Sequence, residues 1–220
     1  MPPYRRFAVY DLGPEPLAQA GAGWLGWDAR SGQAVPAGGG EWTRTPRRYG
    51  FHATIKAPFR LAEGALAETL SDSFAALCAR LAPLALPRLR LTDAGGFLAL
   101  MPQPQPQALT DLAAGVVAAL DPFRAPLTEA EITRRRPERL TGSQRQNLHR
   151  WGYPHVMDDF RYHMTLTGEL DAEGRAAAQE RLAPLLDPLL ADPHPLAALA
   201  LMGEDAEGRF HLIRRCALGG

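Results

Sequence analysis

The chain has 220 residues, 46% of them hydrophobic, with 24 basic and 24 acidic side chains and a formal net charge of +0. That length suits one large domain or two small lobes and is enough to bury a substantial core. A balanced charge leaves no global field to draw the chain to DNA, long RNA or anionic lipid. The two cysteines, Cys78 and Cys216, are too few for a disulfide framework and lack metal-ligand spacing. No stretch approaches the run of about 18 apolar residues that a membrane span needs. The N-terminal Met-Pro-Pro-Tyr-Arg-Arg lacks the apolar core of a signal peptide. A cytoplasmic, reducing setting is therefore expected.

In chain order, Arg5 to Leu12 reads as a first strand, and Pro14 and Pro16 suit the opening of a helix. The polar, Gly-rich stretch from Ser31 to Gly40 reads as a loop. It is not a phosphate-binding Walker loop, because Gly38-Gly39-Gly40 is not followed by Lys-Ser/Thr. A strand around Phe51 to Pro58 follows. Leu66, Leu70, Phe74, Leu77 and Leu81 then recur at helical spacing, predicting a helix over about 63–81. Leu89 and Leu91 alternate with arginines, Gly95-Gly96 makes a turn, and Phe97 to Met101 returns, which is a hairpin. The alternation Pro102-Gln103-Pro104-Gln105-Pro106 reads as an extended connector, and a helix spans Leu109 to Leu120. Thr128-Glu129-Ala130-Glu131 and Thr141-Gly142-Ser143-Gln144 are capping-box patterns, each starting a helix, the second stopping at Gly152. A strand at His163, a helix over about 172–183 capped by Asp171, and a last hairpin from Leu196 to Arg215 complete the chain.

Two segments echo each other: Tyr49-Gly50-Phe51-His52-Ala53-Thr54-Ile55-Lys56 and Arg161-Tyr162-His163-Met164-Thr165-Leu166-Thr167. Side chains alternate on a strand, so His52, Thr54 and Lys56 are expected on one face and His163, Thr165 and Thr167 on the matching one. The echo extends further: His52 precedes Phe97 by 45 residues and His163 precedes Phe210 by 47. Strand, helix and hairpin thus occur twice, over about 47–101 and 160–217, around a helical insertion of about 102–159. One His-x-Thr alone reads as an ordinary strand. Two copies sharing a face, opposite the apolar one, point to two imidazoles and two hydroxyls on one phosphate. Lys56 is the single lysine beside 23 arginines and falls on this face. Tyr49 is a candidate to stack on a base or sugar, with packing in a turn as the competing reading. Arg48 and Arg161 are weaker candidates. Among the remaining histidines, His155 lies nearest the second motif. No metal site is expected; the adjacent acids Asp158-Asp159 near His155 point opposite ways on an extended chain.

The paired motifs His52-Ala53-Thr54-Ile55 and His163-Met164-Thr165-Leu166 resemble those of the 2H phosphoesterase superfamily, the RNA-ligase-like cyclic phosphodiesterases. The longer strings from Arg47 to Phe59 and from Trp151 to Gly168 are similar to a branch associated with phosphonate-metabolism operons. The resemblance implies an α+β, bilobal, pseudo-two-fold domain spanning 1–220, with two antiparallel sheets flanking a central cleft, helices outside and the helical insertion between the repeats. It implies metal-independent hydrolysis of a cyclic phosphate of a nucleotide or ribose, without a cofactor. His52 and His163 would act as acid and base in unassigned order, Thr54 and Thr165 would hold phosphate oxygens, and Lys56, Thr167 and Tyr49 would bind substrate. The expected partner is a small cyclic phosphate, a nucleotide or an RNA 3′ end, for a monomer without membrane or DNA contact. Non-catalytic binding of nucleotide or RNA ends, or RNA end joining, is the alternative.

Overall fold

A computed structural model of the chain describes residues 4–220. Its elements, in order, are β1 (Arg6–Asp11), α1 (Glu15–Leu25), β2 (Trp27–Asp28), β3 (Gln33–Ala34), β4 (Ala53–Phe59), α2 (Ala67–Cys78), β5 (Leu84–Leu86), β6 (Leu89–Asp93) and β7 (Leu98–Pro102). They continue with α3 (Gln107–Ala119), α4 (Glu129–Arg134), α5 (Gly142–Trp151), β8 (Met164–Thr165), α6 (Ala172–Leu186), β9 (His194–Leu196), β10 (Ala198–Glu204) and β11 (Phe210–Ala217).

Local chemistry accounts for the helix ends. Pro14 caps α1 with Pro16 just inside it, and Gly26 closes the helix in the left-handed region (φ 91°). Thr128 and Thr141 each accept from the third backbone N–H of their helices while Glu131 and Gln144 reach back, so both expected capping boxes form. Asp171 accepts from Gly174 N–H and starts α6. The stretch expected as a loop contributes the two residues of β3, which pair with β2.

Seven strands form one antiparallel sheet in the order β11-β10-β1-β4-β8-β7-β6. The four strands ending at β4 and the three beginning at β8 are two half-sheets joined by the single register pair Ala53↔Met164. Each repeat contributes strands to both half-sheets. The hairpin β6–β7 of the first repeat pairs with β8, the motif strand of the second. The hairpin β10–β11 of the second repeat joins β4, the motif strand of the first, through β1. The hairpins are exchanged, so neither half-sheet can form from one repeat alone.

The main core lies on the helix side of the sheet, where Val9, Ile55 and Leu100 meet Leu70, Phe74, Val116 and Leu182. A smaller apolar cluster of Tyr10, Trp27, Met202 and Phe210 packs on the opposite face of the first half-sheet. Burial on both faces explains why β1 is continuously apolar from Phe7 to Tyr10. Cys78 is fully buried, and burial pushes its thiol up to about 12, so it packs as a small hydrophobe. No helix among the described residues is long and apolar enough to cross a membrane.

Candidate active site

The central register pair builds the site. Ala53 pairs with Met164 in antiparallel strands; carried one residue further each way, that register sets His52 toward Thr165 and Thr54 toward His163. The two motifs are thereby related by a local two-fold, each histidine beside the other motif's threonine. Directly opposed Cβ atoms lie about 4.5–5.5 Å apart. His52, Thr54, Thr165 and Thr167 line a cavity of about 350 Å³ together with Tyr49 and Tyr153. His163 lines an adjoining cavity of about 430 Å³, which shares Thr54, Ala57, Phe97 and Tyr153 with the first. The two form one cleft over the β4–β8 junction.

The residue before each histidine anchors it. Phe51 is buried against α1 at Gly21, where a Cβ would fall 2.1 Å from its ring, so any larger residue would expel the ring. Tyr162 is fully buried and donates its hydroxyl to Asp11 Oδ2 at 2.6 Å. Gly50 adopts φ 73°, and a Cβ there would lie 2.8 Å from that of Ala29. This turn aims the Gly50 carbonyl at His52, whose Nδ1 donates to it at 2.9 Å. His163 Nδ1 donates to the Arg161 carbonyl at 2.8 Å. A carbonyl only accepts, so both Nδ1 atoms carry hydrogen and both Nε2 atoms are the exchangeable ones. His52 Nε2 lies 3.1 Å from Thr54 Oγ1.

The two imidazoles sit in different surroundings. His52 stacks on Tyr10, with ring centroids 3.7 Å apart and planes inclined by 22°. Burial lowers it to about 4, outweighing the Gly50 bond, and nearby His163 acts in the same direction as burial. His52 is therefore neutral at pH 7. His163 is half-buried, with the Phe97 ring edge-on at 5.9 Å. His155 lines the His163 cavity, and burial lowers it too.

Two of the predicted substrate contacts are placed differently. Lys56 is not on the face of His52 and Thr54. Tyr10 pairs with Thr54 but Val9 pairs with Lys56, so Ile55 is an extra residue in β4. This bulge breaks the two-residue alternation and turns Lys56 to the helix side. There it is buried, donates to the Val117 carbonyl at 3.0 Å and lies 3.5 Å from Asp121 Oδ1, and burial lowers its ammonium to about 8. Lys56→Met is expected to shift the unfolding midpoint while changing kcat/KM on any substrate of this cleft by less than about twofold; a larger loss would return Lys56 to the site. Thr167 lines the cleft but lies beyond β8, and its Oγ1 accepts from Leu98 N–H at 2.9 Å. Tyr49 is at the cleft, its ring 6.2 Å from that of His52 and packed 5.5 Å from Phe210, with Arg48 over its face.

Several lining residues were not found from the motifs. Tyr10 comes from β1, Phe97 from the turn before β7, and Arg135 and Tyr153 from the helical insertion, which thereby walls the cleft. The continuous apolar run of β1 marks Tyr10 as buried but not which sheet face it joins. Among the described residues, no group of three or more His, Cys, Asp or Glu is placed to hold a metal ion.

Fold and site together define an antiparallel α+β protein with two imidazoles and two threonine hydroxyls converging on one cleft. Residues 54–211 match the family described as protein of unknown function (DUF1045), and the chain belongs to that family. It is 37% identical over 221 residues to ribose 1,5-bisphosphate phosphokinase PhnN of Janthinobacterium sp. (strain Marseille), covering 92% of this chain and 48% of that protein. To the protein of the same name from Laribacter hongkongensis (strain HLHK9) it is 35% identical, covering 95% and 51%. The chain thus spans about half the length of the curated relatives it matches. Among solved structures it is similar to E. coli LigT complexed with 3′-AMP, with 14% identity, a TM-score of 0.49 and coverage of 99% and 100%. It is also similar to a crystal structure of a phosphoesterase, with 11% identity, a TM-score of 0.46 and the same coverage.

Proposed function

We propose that the chain is a phosphodiesterase of the 2H type that opens a cyclic phosphate on a ribose or nucleotide through His52 and His163, as part of phosphonate catabolism. The observation that carries this reading is the Ala53↔Met164 register, which sets the two His-x-Thr segments face to face in one cleft. Opening a cyclic phosphodiester requires a base to take a proton from water and an acid to protonate the departing ribose oxygen on the far side of phosphorus. His52, neutral by burial and with Nε2 facing the cleft, is the base. His163 Nε2 gives its proton to the leaving oxygen. As the P–O bond to water forms and the ring P–O bond breaks, one proton is taken and one returned. Thr165 donates its hydroxyl hydrogen to a non-bridging oxygen, where charge accumulates, and Thr54, whose hydroxyl otherwise donates to His52 Nε2, re-aims to the same phosphate when water takes that nitrogen. The relatives named for ribose 1,5-bisphosphate support a phosphorylated ribose as the substrate class. The test is to incubate the chain with 2′,3′-cyclic nucleotides and ribose cyclic phosphates in the presence of EDTA. Ring-opened monoester is expected; if none of these substrates is turned over with or without added metal, the proposal fails.

A further inference from the structure

The insertion places in the cleft a cation that is unpaired among the described residues. Arg135 follows α4 and lines the cavity of His52 and Thr165. Four residues earlier on the same helix face stands Glu131, the usual partner at that spacing. Here Glu131 is already taken. It binds Arg60, beyond the end of β4, with Nε at 3.2 Å and Nη2 at 3.0 Å, and it accepts from Thr128 N–H at 2.8 Å. These bonds, the Arg60 hydrogen bond first, hold its carboxyl down at about 2, so it stays committed to them.

Arg135 instead lies over the Tyr153 ring, its guanidinium carbon 4.8 Å from the centroid. Among the described residues its guanidinium makes no hydrogen bond or ion pair. The other arginine lining this cavity, Arg6, is bonded to Glu204 through two nitrogens. Among the described residues Glu169 is the one acid lining the cavity, and it forms no ion pair with either. Directly after Arg135 the chain reverses at Arg136, a non-glycine residue in the left-handed region with φ 49° and ψ 63°. That conformation is costly for an L side chain and clusters at functional positions. Arg135 is exposed, the Tyr153 ring offers its guanidinium a cation–π contact, and a guanidinium suits bidentate binding of a phosphate.

We infer that Arg135 is a specificity-determining residue that binds a second phosphate of the substrate, so that the preferred substrate is a ribose cyclic phosphate carrying a further phosphomonoester. This rests on the phosphodiesterase reading for the cyclic phosphate itself, while the Arg135 subsite is defined separately by its own charge and its contact with the Tyr153 ring. The α4 helix, held to the β4 end by Arg60 and Glu131, presents this charge at a set distance from the His-x-Thr pair. A substrate with one phosphate would engage only the pair.

The test compares adenosine 2′,3′-cyclic phosphate with the same nucleotide bearing a 5′-phosphate, using the full chain. The doubly phosphorylated substrate is expected to have the higher kcat/KM, by about 10- to 100-fold, the range for a hydrogen bond to a charged group. Arg135→Ala is expected to bring that ratio to within about twofold of one, chiefly through KM, and Arg135→Lys to restore part of it. A ratio near one in the unaltered chain, or a ratio kept in Arg135→Ala, overturns the inference. A binding measurement separates this from the parent reading: calorimetry with adenosine 3′,5′-bisphosphate and 3′-AMP, on the unaltered chain and on Arg135→Ala. If neither cyclic phosphate is turned over yet the bisphosphate binds at least tenfold tighter and only when Arg135 is present, the phosphodiesterase reading falls and the subsite stands. If the two nucleotides bind alike, or the preference survives Arg135→Ala, the subsite falls.

Discussion

Replacing His52 by Ala is expected to lower kcat on a cyclic phosphate by about 10²- to 10⁴-fold, the usual contribution of a positioned acid or base. His163→Ala is expected to fall in the same range. The double variant should be little worse than either single one, because one proton must enter as the other leaves and neither half works alone. The two histidines should nevertheless differ in their pH signatures. His52 acts as a base and must be unprotonated, and burial holds it at about 4 rather than 6.5. Activity governed by it therefore rises with pH through about 4, and the acid limb of kcat/KM should be centred there. An enzyme whose base titrated as a free imidazole would already have lost most of its rate at pH 5. The measurement is kcat/KM from pH 3.5 to 8 on the unaltered chain, within the range where it remains folded. An acid limb centred near 6.5 would show that His52 is not the base or is not desolvated in the working enzyme. Retention of full activity in either Ala variant would remove the two-histidine mechanism altogether.

What could be read from the residues alone divides along physical lines. Signals carried within a few residues were legible. The capping boxes at Thr128 and Thr141 predicted the starts of α4 and α5, and Gly152 the end of α5. The duplicated His-x-Thr segments brought out four residues that the structure gathers over one register pair. Signals that depend on pairing were not legible. Period-two alternation assumes a regular strand, so one extra residue at Ile55 was enough to send Lys56 to the opposite face. The expected strand through Thr167 also stops at Thr165, where the chain turns and Leu166 and Thr167 both donate to the Leu98 carbonyl. The repeats implied two equivalent halves, but only strand pairing shows that their hairpins are exchanged. Local pattern does not carry that information, because either pairing buries the same apolar faces. Arg135 was invisible for a similar reason. By spacing it belongs to Glu131, and only the contact between Glu131 and Arg60, distant in sequence, releases it.

The two-stranded ribbon of β5 and β9 carries a buried polar side chain without a hydrogen-bond partner among the described residues, and this yields the second large effect. His194→Leu is expected to raise stability by about 1–3 kcal/mol at pH 7, the cost of burying an unsatisfied polar group. His194 opens β9 and pairs with Leu86 of β5 in a two-stranded ribbon. It is 0% exposed, among residues such as Leu86 and Leu196, and neither ring nitrogen has a hydrogen-bond partner among the described residues. Burial lowers it to about 4 from 6.5. Because the folded value is depressed, the unfolded chain binds more protons between these two values. Stability is therefore full above about 6.5 and is lost as pH falls toward 4, by up to about 3 kcal/mol from this residue. His52 contributes in the same direction, so the parent chain should show both effects and His194→Leu only one. Urea unfolding at pH 7.5, 6, 5 and 4.5 measures this directly. The variant should unfold at higher urea throughout, with the gap widening as pH falls below 6.5. A gap that stays constant with pH would mean that His194 keeps a partner for its proton in the folded chain, and a lower midpoint at pH 7 would mean that its ring is held by packing that leucine does not reproduce.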